Sequence, residues 1–152
     1  MSKAIISIKG TQIIDEEPNV IEFITDGIYT CNEAGKRITY FETELTGEKG
    51  VKNVINVQDD TIIITKNGPY KTQLILENGK RHHCPYNTPF GMMTMGINTQ
   101  EINDGLTKQG GNLFVSYELE INHNTASVNK LEITVKESKK DAQKNNKSDR
   151  SC

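Results

Sequence analysis

The sequence predicts an all-β protein, a single antiparallel up-and-down barrel of about eight to ten strands. Two features of the 152-residue chain point there. Apolar residues recur at every second position between short turn signals, and Ile, Val and Thr abound while alanine is scarce. That is the period and composition of half-buried strands. So many short strands in series must hide their edges, and closing the sheet on itself is the simplest way.

The strands can be justified in order. The first covers Lys3 to Ile14, with Ile6 and Ile8 on one face and Gly10 as an expected bulge or bend. "DEEPN" ends it, because Pro18 cannot donate to a ladder. "VIEFITDGIYTC" is the second, turned by "NEAGK", and "RITYFETEL" the third, running out at "TGEKG". "VKNVINVQ" and "TIIITK" flank a turn at Asp59-Asp60, and "NGPY" leads into "KTQLILE". Asn78-Gly79 is the strongest hairpin signal in the chain, expected to join that strand to "KRHHCPY". "FGMMTMGI" and a weaker strand from Gln100 to Leu106 come next. "NLFVSYELEI" has the cleanest alternation, and "VNKLEITVK" closes the series after the loop "NHNTAS". The barrel therefore occupies residues 1–136, and the polar stretch 137–152 reads as a disordered tail.

Charge narrows the functional classes. The last seventeen residues carry +3 and the rest −5, giving the net −2. No overall basic field attracts nucleic acid, and basic residues are not interleaved with aromatics as a nucleic-acid platform requires. No apolar run approaches the ~20 residues that span a bilayer, so no membrane partner is expected. Cys31, Cys84 and Cys152 form an odd, scattered set without C-x-x-C, and Cys152 reads as an exposed thiol. Together with the lack of a signal-like h-region, this places the protein in the cytoplasm.

"HHCPYNTPFG", residues 82–91, invites a metal or catalytic reading. In a strand His82 and Cys84 face one way and Arg81 and His83 the other. Two ligands do not close a zinc site, and adjacent His83 and Cys84 point apart, so neither a metal nor a cysteine nucleophile is expected. Cys84 reads as a small buried hydrophobe, and "TPFG" as a shaped corner whose Phe90 plugs the barrel end or packs beneath the turn. No cofactor is expected either: the glycines lack phosphate-loop spacing.

Several stretches carry a family likeness: Tyr40, Glu42 and Thr43 in Y-x-E-T, then Tyr86, Thr88, Pro89, Phe90 and Gly91 in Y-x-T-P-F-G. Gly96 and Thr99, and the Y-x-L-x-I of Tyr117, Leu119 and Ile121, extend it. In these the chain resembles the YwiB-like family, bacterial proteins catalogued as a domain of unknown function. The resemblance implies a calycin-like barrel, related in shape to lipocalins and streptavidin. It supplies no substrate, cofactor or catalytic residue.

Strand phase and resemblance together single out six candidate ligand-binding residues. Tyr40, Glu42, Arg81 and Tyr86 would meet the polar end of a small molecule, and Met93 and Met95 its apolar end. Glu42 is either an outward glutamate on a solvated face or an inward one, which then needs a partner. Arg81 is the candidate partner. The expected function is a barrel binding a small, partly apolar molecule in or at its mouth. The alternative is a packed, non-enzymatic barrel acting through its outer surface or as a homo-oligomer; an enzyme is the least favoured reading.

Overall fold

The computed structural model describes residues 2–42, 50–68, 71–121 and 124–137, the side chains of residues 2 and 86–88 excepted. Ten strands follow one another: β1 (Ser2–Ile14), β2 (Glu17–Asn32), β3 (Gly35–Phe41), β4 (Lys52–Gln58), β5 (Thr61–Asn67), β6 (Thr72–Glu77), β7 (Arg81–Thr88), β8 (Gly91–Thr107), β9 (Gly110–Ile121) and β10 (Asn124–Glu137). They form one sheet in the order β6-β5-β4-β3-β2-β1-β10-β9-β8-β7, every pair antiparallel. The sheet curls into a nearly closed barrel, as the alternation predicts.

Three boundaries differ from expectation. Pro18 lies inside β2, opposite Ile13, and the turn before it is only Asp15-Glu16, both at positive φ. Two central residues of positive φ match the twist of the strands they join, so the hairpin needs no longer loop. Gly10 makes no bulge; it stays in continuous register between Ile21 and Leu131. The strands expected at 90–97 and 100–106 are one strand, β8, with a bulge between Thr99 and Glu101. The extra residue flips the inward phase, from Met95, Ile97 and Thr99 to Ile102 and Leu106, and a phase flip looks in sequence like a break. The tail expected to be disordered lies, beyond Glu137, outside the described residues, as does Cys152.

Up-and-down order sorts the turns. Those after β1, β3, β5, β7 and β9 gather at one end, here the upper end; those after β2, β4, β6 and β8 lie at the lower end. Between them the inward positions Ile6, Ile38, Ile55, Ile62, Leu76, Val115, Ile133 and Val135 are buried and packed into one cluster. The lower end is shut. Lys36 of β3 and Asp104 of β8 meet at 2.7 Å, although four strands separate β3 from β8 in either direction round the barrel. Side chains from opposite walls therefore meet across this end. Beside them the Tyr29 hydroxyl donates to the Thr107 carbonyl at 2.7 Å. Burial, then the Asp104 charge, pushes the Tyr29 hydroxyl's pKa well above the ordinary tyrosine range.

The strongest hairpin signal marks the one join between neighbouring strands that has no ladder among the described residues. Asn78-Gly79 does turn the chain, with Gly79 at φ 74°, but β6 and β7 sit at opposite ends of the sheet order and form no ladder. Pro85 inside β7 has no N–H to give, which suits an edge strand. A side-chain contact bridges the seam, His82 to Glu77 at 2.9 Å, and Lys80 in the turn pairs with the same Glu77 at 3.0 Å. The His82 hydrogen bond above all, then Lys80, holds the Glu77 carboxyl below its usual range. Such a depressed carboxyl gives stability that is fully present above the ordinary value of 4.5 and lost as pH falls through the folded value. Thermal midpoints of wild type and Glu77→Gln should accordingly differ at neutral pH and converge in acid; curves that stay parallel down to pH 2 would mean the bridge does not hold the seam.

Candidate functional site

Hydrogen-bonded rows carry the inward side chains to defined heights. One row runs Ala4–Gly27–Tyr40–Asn53–Lys66–Thr72 across six strands, close to the upper ends of β3, β4, β5 and β6. Glu42, two residues beyond Tyr40, shares its inward phase, and its side chain is only 7% exposed. Lys66 Nζ lies 3.1 Å from Glu42 Oε2, and Asn53 Nδ2 donates to the same oxygen at 2.9 Å. The backbone is tied as well: Glu42 N–H donates to the Val51 carbonyl, and Gly50 N–H to the Glu42 carbonyl. The outward glutamate is excluded, and an inward carboxylate needs such partners to stay charged.

Arg81 is not that partner. It faces outward from β7 and pairs with Glu120 of β9, on the far side of Gly96. A Cβ on Gly96 would lie 3.3 Å from both Arg81 Nη2 and Glu120 Oε1, so the bare backbone leaves room for the pair to cross β8. The correction has a simple cause. Arg81 alternates with Cys84, and the burial of Cys84 turns Arg81 outward.

Tyr40 stands over Glu42 and packs against Phe23, ring centroids 6.0 Å apart and tilted by 55°. Burial first, and the Glu42 charge second, pushes its pKa up to about 12. On the opposite wall a second row, Gln12–Asn129–Tyr117–Thr99, brings further polar groups inward. Asn129 is buried and donates to the buried Ser127 hydroxyl at 2.9 Å. Thr99 is 1% exposed, and its hydroxyl has no hydrogen-bond partner among the described residues. Burial raises the pKa of the Tyr117 hydroxyl too. Half-buried Phe23, Ile64, Leu74, Leu119 and Leu131 supply the apolar surface around the two rows.

The six predicted residues are thus split. Tyr40 and Glu42 stand together inside the upper half. Met95 is a core side chain at 6% exposure, next to the buried free thiol of Cys84 across the ladder. Arg81 and Met93 instead share an outer groove of about 350 Å³ with His83, Met92, Thr94 and Glu120. The Tyr86 side chain is outside what the structure describes, although its backbone pairs with Met93. Phe90 plugs nothing; it is fully exposed. Among the described residues no three His, Cys, Asp or Glu side chains come together as metal ligands. Asn53, Lys66 and Asn129 were missed, yet each carries a signal: a polar side chain at the inward phase of an otherwise apolar strand.

Fold and site define a small antiparallel β-barrel of the shape expected of calycin-like proteins, with a buried polar cluster around Glu42 near one end. The chain belongs to the family described as domain of unknown function DUF1934, whose pattern matches residues 6–133. The crystal structure of the ywiB protein from Bacillus subtilis is similar in fold, with a TM-score of 0.78 over 90% of this chain and 92% of that one, at 20% identity. No curated protein matches the chain. No helix among the described residues is long and apolar enough to cross a membrane, which leaves strands out of account.

Proposed function

We propose that this protein is a binding barrel, not a catalyst, that takes a small, partly apolar molecule at its upper end in a cytoplasmic setting. One observation carries the reading: near the upper end the inward Glu42 carboxylate is buried and held by Lys66 and Asn53, with half-buried apolar side chains around it. Ligand sites are mostly apolar with a few placed polar groups, and this distribution has that form. The ligand's polar end would sit on Glu42 and the half-exposed Lys66. Its apolar part would lie on Phe23, Leu119 and Leu131. The packed lower half keeps a ligand at the mouth and out of the floor. A second reading, a barrel acting through its outer surface, draws support from exposed Ile5, Ile24 and Ile28 on β1 and β2.

A small-molecule thermal-shift screen on wild type and Glu42→Gln decides between them. The substitution keeps shape and removes charge, so hits should bind the variant about ten- to a hundredfold more weakly, as loss of a charge-assisted contact of ~1.5–3 kcal/mol requires. The variant has its own control. Removing the Glu42 charge should bring the Tyr40 ionisation, read in the ultraviolet, below its value of about 12. If no compound shifts the wild type, or every hit shifts both proteins equally while Tyr40 titrates as expected, the site fails and the surface reading stands.

A further inference from the structure

β2 is much longer than the strand that covers it. Its sixteen residues pair with β1 along Glu17–Tyr29, but β3 pairs only with Gly27–Asn32. From Glu17 to Asp26 the edge facing away from β1 has no ladder partner among the described residues. An edge of this length is a template for another strand unless something blunts it. Apolar side chains stand exposed along it on both phases: Ile21 at 53% on the inward one, Val20 at 49% and Ile24 at 72% on the outward one. Pro18, which lacks an N–H, is tolerated in such a position.

Charge selects the occupant. The edge carries Glu17, Glu22 and Asp26 and no lysine or arginine. Two copies paired edge to edge would set carboxylates against carboxylates, which disfavours a dimer through this strand. A strand rich in lysine or arginine meets the opposite situation. Beside the edge, across the outer face of β2, β1 and β10, runs a groove of about 660 Å³ lined by Ser7, Lys9, Glu22, Ile24, Glu132 and Thr134. Long basic side chains of an added strand could compete for Glu22 with Lys9, whose own contact is a loose 3.8 Å. We infer that the Glu17–Asp26 edge of β2 takes up an extended peptide segment of mixed basic and apolar character by β-strand addition.

The test uses the full chain and a peptide of the edge's own length that alternates lysine with valine. Two companions accompany it, one with glutamate for lysine and one N-methylated at alternate backbone positions. The lysine peptide should bind and slow hydrogen exchange at alternate amides within 17–26. N-methylation on the pairing side should abolish binding, and the glutamate peptide should not bind. Charge reversal by Glu22→Lys with Asp26→Lys should weaken the lysine peptide about tenfold or more. Folding of that variant is checked by circular dichroism. No binding by the lysine peptide, equal binding by the glutamate or N-methylated one, affinity unchanged by reversal, or protection outside 17–26 would overturn the inference. So would sedimentation showing a dimer whose amides at 17–26 are already protected, since a second copy would then hold the edge.

Discussion

Tyr29→Ala is expected to destabilise the protein by about 3–5 kcal/mol, the range for removing a large buried aromatic ring. The ring is 2% exposed and sits where opposite walls of the barrel meet. Its loss would leave a cavity that neighbours on several strands cannot all close, because each is fixed by its own ladder. Tyr29→Phe separates the contributions. It keeps the ring and removes the hydroxyl that donates to Thr107, so it should cost only ~1–3 kcal/mol for the carbonyl left unpaired. Urea unfolding of both variants gives the values directly. If Tyr29→Ala cost less than Tyr29→Phe, or under 1 kcal/mol, the lower end would not be a packed floor. The same residue bears on alkaline unfolding. The Tyr29, Tyr40 and Tyr117 pKa values are all raised, so the stability they contribute is complete below the ordinary value of 10 and is lost as pH rises through their folded values.

Gly27→Val should be comparably severe. A Cβ at Gly27 would overlap both Ile6 Cδ1 and the Thr39 carbonyl oxygen. The isoleucine tip could move, but the carbonyl belongs to the paired backbone of β3, so the β2–β3 ladder has to shift. Forced overpacking of this kind costs about 1–3 kcal/mol or more, and a branched side chain sits at the upper end. Since Gly27 lies in the row that continues through Tyr40 and Asn53 to Lys66, the shift should also disturb the Glu42 cluster. Gly10→Ala is the control, because nothing lies within 4 Å of the position a Cβ would take there. It should be neutral or stabilising by up to ~1 kcal/mol, through the unfolded chain. Denaturant midpoints for the pair test both expectations; a Gly27→Val protein as stable as wild type would mean β2 and β3 approach less closely than described.

How much of this was legible without coordinates can be told residue by residue. Strand identity and phase were open to reading, since burial alternates with the pleat: Ile6 with Ile8, His82 with Cys84, Leu113 with Val115. The placement of Glu42 beside Tyr40 followed from the same two-residue period. Phase was lost only where a bulge adds a residue, as between Thr99 and Glu101. Partners across the barrel were not legible, because a ladder's register depends on every strand between two residues. Lys66 reaches Glu42 over two intervening ladders, and Lys36 reaches Asp104 across the whole width. The sequence by itself determined an all-β chain and which residues of a strand share a face. Only the tertiary structure decided that Lys66 and not Arg81 reaches Glu42, that the sheet parts at Asn78-Gly79 where the hairpin signal is strongest, and that β2 outruns β3. The physical reason is common to all three. Side-chain period is a local property of the pleat, whereas closure, face and partner depend on how ten twisted strands are staggered around one core.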